Sequence, residues 1–206
     1  MTDRRSHWDA VYRTRRPETV SWFQPSLRLS LEMIRRTGLG RDAALIDIGG
    51  GASTLIDDLL SIEYNDVTIL DISSEALLIA KARLGERARS VNWIEGDITT
   101  VSLPPLRFDL WHDRAVFHFL SAESERGAYS DAMKGAVRPG GFAVIATFGP
   151  NGPLKCSGLD TARYSPDSLG RMFGDAFALT ASEVEIHTTP SGARQEFVYC
   201  LFQKLA

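Results

Sequence analysis

Apolar residues recur along this chain at two intervals, and the interval switches repeatedly. Trp8, Val11 and Tyr12 stand three and four positions apart, the spacing of one helix face. They predict a short helix over 3–15 that Pro17 ends. Pro25 suits an early position of a second helix, which carries Leu27, Leu31 and Ile34 and stops near Gly38. From residue 44 onward, short apolar runs alternate with helical patterns. The runs at 44–48, 67–70, 91–94, 108–111 and 142–148 read as buried strands. Residues 54–60 read as a helix, and so does a segment capped by Ser73 or Ser74 that ends at Leu84, before Gly85. A longer helix over 121–137 is broken at Pro139-Gly140-Gly141, and another opens at Ser165-Pro166 and stops at Gly174.

Strands that alternate with helices imply crossover connections, and therefore a parallel sheet covered on both faces. The end of the chain departs from this. Residues 183–188 and 196–202 alternate in polarity on either side of Thr189-Pro190-Ser191-Gly192, a hairpin signal. The expected architecture is α/β in three layers, with a mostly parallel sheet closed by an antiparallel C-terminal strand.

Composition narrows the function classes. The 206 residues fit one domain, and 44% apolar with 24% charged residues is ordinary for a globular chain. A net charge of -3 gives no reason to expect nucleic acid or an anionic membrane as partner. Arg4, Arg5, Arg13, Arg15 and Arg16 read as a solvated helix face. No apolar stretch reaches the ~18 residues of a membrane-spanning helix, and the N-terminus lacks the apolar core of a secretion signal. Cys156 and Cys200 lie far apart, which gives neither a disulfide framework nor a metal pattern and suggests a reducing cytoplasm.

The chemistry gathers after successive strands. Asp47-Ile48-Gly49-Gly50-Gly51 follows the first one and opens a helix. Glycines there let the backbone approach a ligand closely, although such a loop alone is also found as a plain tight turn. Asp71 closes the second strand, where an acid can accept both hydroxyls of a ribose. Asp97 follows the third, where it could accept from an adenine amino group. Singly, Asp71 could be a helix cap and Asp97 a turn residue. A dinucleotide fingerprint would place a glycine three positions after Gly51, where Thr54 stands. Asp47 would repel a pyrophosphate and would suit a cationic ligand.

With these motifs, residues 41–148 resemble a class I S-adenosylmethionine-dependent methyltransferase. The matches lie at 45–51, 70–73, 95–98, 108–119 and Arg138-Pro139-Gly140-Gly141-Phe142. The resemblance implies a Rossmann-like, seven-stranded sheet with its last strand reversed, and S-adenosyl-L-methionine as cofactor. It puts Gly49 and Gly51 at the methionine portion, Asp71 at the ribose hydroxyls, and Asp97 and Ile98 at the adenine, with Asp47, Ile72 and Ser73 as further candidate cofactor contacts. Asp113 would stand near the methionine amino group and the acceptor. Ser53 occupies a place where many members have a glycine, so a tighter loop is expected there.

The N-terminal segment around His7–Tyr12 and Val20–Phe23, together with Asp113-Arg114-Ala115-Val116-Phe117, is similar to two smaller groups of that superfamily. One methylates small thiols and related heteroatoms, the other protein lysines. Residues 1–38 would then form a helical lid over a catalytic core at 39–206, with Trp8, Tyr12 and Trp22 against the cofactor. Asp113 and His118 are the catalytic candidates, His118 as a base. Phe23, Arg114, Phe117, Cys156 and His187 are candidates for the acceptor side. No metal is implied. The expected function is methyl transfer to a small-molecule nucleophile, a thiol being favoured, in a monomer or homodimer. The rivals are a protein lysine N-methyltransferase, a non-catalytic adenosylmethionine-binding module and, more distantly, a nicotinamide enzyme. Asp71→Ala is expected to weaken cofactor binding and leave the fold intact.

Overall fold

A computed structural model describes residues 4–206. Asp3, in the expected first helix, lies outside the described residues. Helices α1 (Arg4–Thr14) and α2 (Arg28–Arg36) precede strand β1 (Leu45–Ile48). Then follow α3 (Leu55–Ser61), β2 (Val67–Asp71), α4 (Ser74–Leu84), β3 (Val91–Glu95) and β4 (Phe108–Arg114). The second half holds α5 (Glu123–Ala136), β5 (Val137–Phe148), the two-residue strands β6 (Lys155–Cys156) and β7 (Leu159–Asp160), α6 (Pro166–Phe173), β8 (Phe177–Thr188) and β9 (Arg194–Lys204).

The main sheet has seven strands in the order β3-β2-β1-β4-β5-β9-β8. Only β9 is antiparallel to its neighbours, so the terminal hairpin slides its last strand between β5 and β8. Strand alternation splits the core in two. Leu45, Val144, Ala146, Tyr199 and Leu201 face α2, α3 and α4, whereas Ile46, Ile48, Ala143, Ile145, Val198 and Cys200 face α5 and α6. Chain direction through the sheet reverses between β1 and β4, and ligands of open α/β sheets sit beyond the strand ends at that point.

Several boundaries differ from the pattern reading. Strand β4 runs on to Arg114, because Trp111 and Asp113 stay buried and pair on both sides, Trp111 with Ile46 and Ala143 and Asp113 with Ile48 and Ile145. Strand β5 begins at Val137, and residues 138–141 bow out between two paired stretches. The glycine-rich segment after β5 is not a plain loop: Ser157 and Gly158 both have positive φ (50° and 81°), which closes the β6–β7 hairpin. Strand β8 starts at Phe177, six residues ahead of the alternating run.

Candidate active site

The acidic and glycine residues of the first strand end form one buried assembly. Asp47 Oδ1 lies 2.6 Å from His112 Nδ1, and His112 Nε2 lies 2.9 Å from Ser30 Oγ on α2. A carboxylate only accepts, so Nδ1 carries the proton and Nε2 accepts from the serine hydroxyl. Ser30 is fully buried and lines no cavity, so this serine–histidine–aspartate row is a scaffold rather than a nucleophile. It fixes the Asp47 carboxylate with Oδ2 buried and without a partner. Gly49, at φ 67°, passes so close to Val116 that an added Cβ would lie 2.1 Å from Cγ2. Gly51 is tied to the second strand instead. Its N–H donates to Asp71 Oδ2 at 2.9 Å, and an added Cβ would meet Ala76 at 2.5 Å.

Asp71 also accepts from Ser73 N at 2.8 Å, and burial lifts its carboxyl to about 6 against the pull of those two N–H groups. Each oxygen retains capacity for a further donor. Asp97 Oδ1 accepts from the backbone and hydroxyl of Thr99, while Oδ2 lies 3.7 Å from Arg4 of α1. Asp97 therefore both holds its turn and lines a cavity.

Two adjoining cavities open at these strand ends. The larger spans about 840 Å³, open solvent included. Asp71, Ile72, Asp97 and Ile98 line one half, from β2 and β3. Arg114, Phe119, Phe148, Cys156 and Phe197 line the other, from the β4–β9 side. The smaller cavity, about 510 Å³, holds Asp47, Gly50, Ser53, Phe23 and His112. Tyr12, Trp22, Gly49 and Arg114 face both. The aromatic residues of the N-terminal segment stack edge-on over the opening: Trp8 against Trp22 at 5.6 Å and Phe119 at 5.2 Å, and Tyr12 against Trp22 at 6.4 Å.

Helix α1 is held down by groups that sequence periodicity did not single out. Ser73 Oγ donates to Asp9 at 2.7 Å, Arg13 pairs with Glu75 at 2.9 Å, and Arg4 and Arg5 pair with Glu125 and Glu95. Thus Arg4, Arg5 and Arg13 are not simply a solvated face. Ser73 spends its hydroxyl on Asp9 and on capping α4, and it does not reach the cavity.

Four further expectations need correction. Asp113 is fully buried and lines neither cavity. Its oxygens accept from Val116 N, Phe117 N and Tyr129 OH (2.7–3.1 Å), and they fix the turn after β4. His118 also faces no cavity. It stacks on Phe148, accepts from Phe148 N at 3.1 Å, and burial depresses it to about 3, helped by the Arg114 charge, so it is held neutral as a weak base whose Nδ1 is already spent. Phe117 packs in the core against Tyr129 and Phe173. His187 binds Ser21 O at 2.8 Å and Gln24 at 3.2 Å, anchoring the segment after α1 rather than reaching the acceptor side.

Arg114 and Cys156 do face the cavity. Arg114 donates from Nε to Tyr199 OH at 2.8 Å and from Nη1 to Trp22 O at 3.0 Å, and it lies over the Phe197 ring at 4.5 Å. Burial pushes the Cys156 thiol up, so it stays protonated, 3.7 Å from Ser21 Oγ.

The site fits an S-adenosylmethionine-type ligand on its own terms. Asp47 Oδ2 is a buried anionic acceptor awaiting a cation, and the carboxylates of Asp47, Asp71 and Asp97 disfavour phosphate. Comparison with known proteins agrees. The family model described as "Methyltransferase domain" matches residues 45–141. EEF1A lysine methyltransferase 2 of Danio rerio is 23% identical over 158 residues, covering 69% of this chain and 67% of that protein. Among solved structures, one from work on the conversion of a disulfide bond into a thioacetal group during echinomycin biosynthesis is 19% identical, with TM-score 0.80 over 98% of this chain and 93% of that one. The Burkholderia thailandensis 1,6-didemethyltoxoflavin-N1-methyltransferase, solved with bound 1,6-didemethyltoxoflavin and S-adenosylhomocysteine, is 18% identical, with TM-score 0.76 over 98% of this chain and 87% of that one. The strand order and the match of residues 45–141 to the methyltransferase-domain family converge on a class I, Rossmann-like methyltransferase fold, with S-adenosyl-L-methionine as the methyl donor.

Proposed function

We propose that the protein methylates a small-molecule nucleophile, a thiol or similar soft nucleophile being favoured. The observation that carries this reading is the aromatic wall of the cavity. Trp8, Tyr12 and Trp22 wall it from the N-terminal segment, Phe119, Phe148 and Phe197 from the core, and α1 is fastened across it at both ends. Such a chamber suits a compact acceptor better than a lysine carried on a folded protein. In this reading residues 1–38 are the lid and 39–206 the catalytic core of one domain. Free, buried Cys156 and Cys200 suit a reducing cytoplasm. Among the described residues no helix is long and apolar enough to cross a membrane.

Asp47 would take the donor's ammonium, Asp71 its ribose hydroxyls, and Asp97 with Ile98 its adenine. When bound, the donor supplies an electrophilic methyl carbon on a sulfonium. The residues around it contribute position and dryness, worth up to ~7–11 kcal/mol where alignment is good. The rings of Tyr12 and Trp22 favour a cation by ~0.5–2 kcal/mol each. The acceptor half has no histidine, lysine or carboxylate among its described lining residues, so the acceptor must arrive able to react without a protein base. A thiol meets that condition more readily than an ammonium.

The zebrafish relative favours a second reading, a protein lysine methyltransferase. Labelled methyl donor incubated with a panel of small thiols, beside a cell lysate, separates the two. Labelled thiols are expected; labelled protein bands with inert thiols would sink the first reading. Cofactor binding with no transfer to any acceptor would leave only a binding module.

A further inference from the structure

Resting on that reading, we infer that the acceptor is an uncharged aromatic molecule, its ring received by the half of the larger cavity that Trp8, Trp22, Phe119, Phe148 and Phe197 wall. Two observations converge. The first is the character of the wall. All five rings line the cavity. Trp8 and Trp22 come from the N-terminal segment and Phe119 from the turn after β4, and all three are only half-buried. They stand edge-on to one another, Trp8 at 85° to Trp22 and at 73° to Phe119. Phe148, at the end of β5, and Phe197, on β9, add two rings 4.8 Å apart and inclined at 59°. Rings set at such angles offer both faces and edges. A planar aromatic guest can therefore meet them edge-to-face, the arrangement that aromatic pairs prefer to a parallel sandwich.

The second observation is that the polar groups of this half are already committed to the protein. Arg114 donates from Nε to Tyr199 OH and from Nη1 to Trp22 O, its Nη2 is buried, and it pairs with Glu185 at 3.8 Å. Cys156 Sγ lies 3.7 Å from Ser21 Oγ. Cys156 and Tyr12 line the space as an uncharged thiol and phenol. The charges of Asp71, Asp97 and Arg4 belong to the other half, where Arg4 is paired with Glu125 and Asp97. A carboxylate or an ammonium carried into the aromatic half would lose its water and gain no counter-ion, which disfavours it strongly. An uncharged ring loses little and gains the contacts of the wall.

Thioether products test this without the ionisation of a thiol. Benzyl methyl sulfide, its ring-saturated analogue cyclohexylmethyl methyl sulfide, and its para-carboxylate and para-aminomethyl derivatives are titrated into the protein saturated with S-adenosylhomocysteine, and binding is read by calorimetry. Benzyl methyl sulfide is expected to bind roughly 2–10-fold more tightly than the saturated analogue, the range that ring contacts supply beyond buried area. It is expected to bind at least about tenfold more tightly than either charged derivative. The saturated ring is the more apolar of the two. A cavity that sorts by hydrophobicity alone would bind it as well or better, and that result overturns the inference. So does a charged derivative that binds as tightly as the parent. These comparisons need no variant. Phe119→Leu keeps an apolar side chain and removes one ring, so it should cut the preference for the aromatic guest at least about twofold. S-adenosylhomocysteine binding checks that the variant is folded, and an undiminished preference in the folded variant also overturns the inference. In the labelled-donor assay, charged thiols methylated while benzyl mercaptan stays inert would overturn the inference and keep the small-molecule reading. Label found only in protein bands would remove that reading itself.

Discussion

Asp71 accepts two backbone N–H bonds in a dry place, one from Gly51 and one from Ser73. The loop after β1 and the start of α4 are thereby joined through one carboxylate. Truncating it to alanine strands two buried donors, at ~1–3 kcal/mol each. Asp71→Ala should therefore lose ~2–6 kcal/mol in denaturant unfolding without ligand, contrary to the expectation that the fold would be untouched. A clean test of the donor site is Asp47→Asn, which keeps an oxygen for His112 and removes the charge at the unpaired Oδ2. Calorimetry should show at least about tenfold weaker S-adenosylmethionine binding and a nearly unchanged unfolding midpoint. His118 carries the pH dependence of stability. Its folded value of about 3 lies below the ordinary 6.5, so the unfolded chain binds the proton first and stability is lost as pH falls from 6.5 toward 3. Asp71 and Asp113, lifted by burial to about 6, act oppositely: the folded state holds their protons, and that gain is lost as pH rises through 6. His118→Phe should cost ~1–3 kcal/mol at pH 7, where Phe148 N loses its acceptor. At pH 5 the gap to wild type should narrow by ~2 kcal/mol, because the variant no longer has an imidazole to protonate on unfolding. A gap that stays constant from pH 7 to pH 5 would show that His118 is not held neutral.

At the scale of elements, helix α1, the proposed lid, depends on few contacts. Asp9 on α1 accepts from Ser73 Oγ at 2.7 Å, and its carboxylate reaches Glu75 N at the first turn of α4, where an anion is favourable. Asp9→Ala should free α1 locally. Amide exchange over 4–14 should accelerate roughly tenfold or more, with the exchange of β1, β4 and β5 unaltered, and S-adenosylhomocysteine should restore part of the protection. Equal acceleration in the sheet would mean that α1 is part of the core rather than a lid. This latch was not legible in the sequence, because Asp9 and Ser73 lie 64 positions apart and neither breaks a pattern. The strands were legible wherever burial was continuous, as in β1 and β2, where every residue is buried. They were cut short where one face is wet: β8 alternates too weakly before residue 183 to announce itself. The acids at strand ends were found because topology alone brings them together. Asp113 and His118 misled for the same reason. Position after a strand placed them near the site, but side-chain direction, which the one-dimensional pattern does not contain, turned them into the core.

Taken as a whole, the molecule gathers Asp47, Asp71 and Asp97 at the strand ends, beside the helix α1 proposed as a lid. A ligand that binds only the native state raises stability by RT ln(1 + [L]/Kd), about 2.7 kcal/mol at a hundredfold excess over Kd. For a domain of this size each kcal/mol shifts the melting midpoint by ~2–4 °C, so S-adenosylhomocysteine at that excess should raise it by roughly 5–11 °C. NAD at the same concentration should raise it by less than about 1 °C, because its pyrophosphate would face the carboxylates of Asp47 and Asp71. The Asp47→Asn variant sharpens the comparison, since it removes one of the charges that exclude phosphate. Its shift with S-adenosylhomocysteine should shrink while the shift with NAD stays small. A thermal shift with NAD that matches or exceeds the one with S-adenosylhomocysteine would mean that these carboxylates do not set the choice of cofactor.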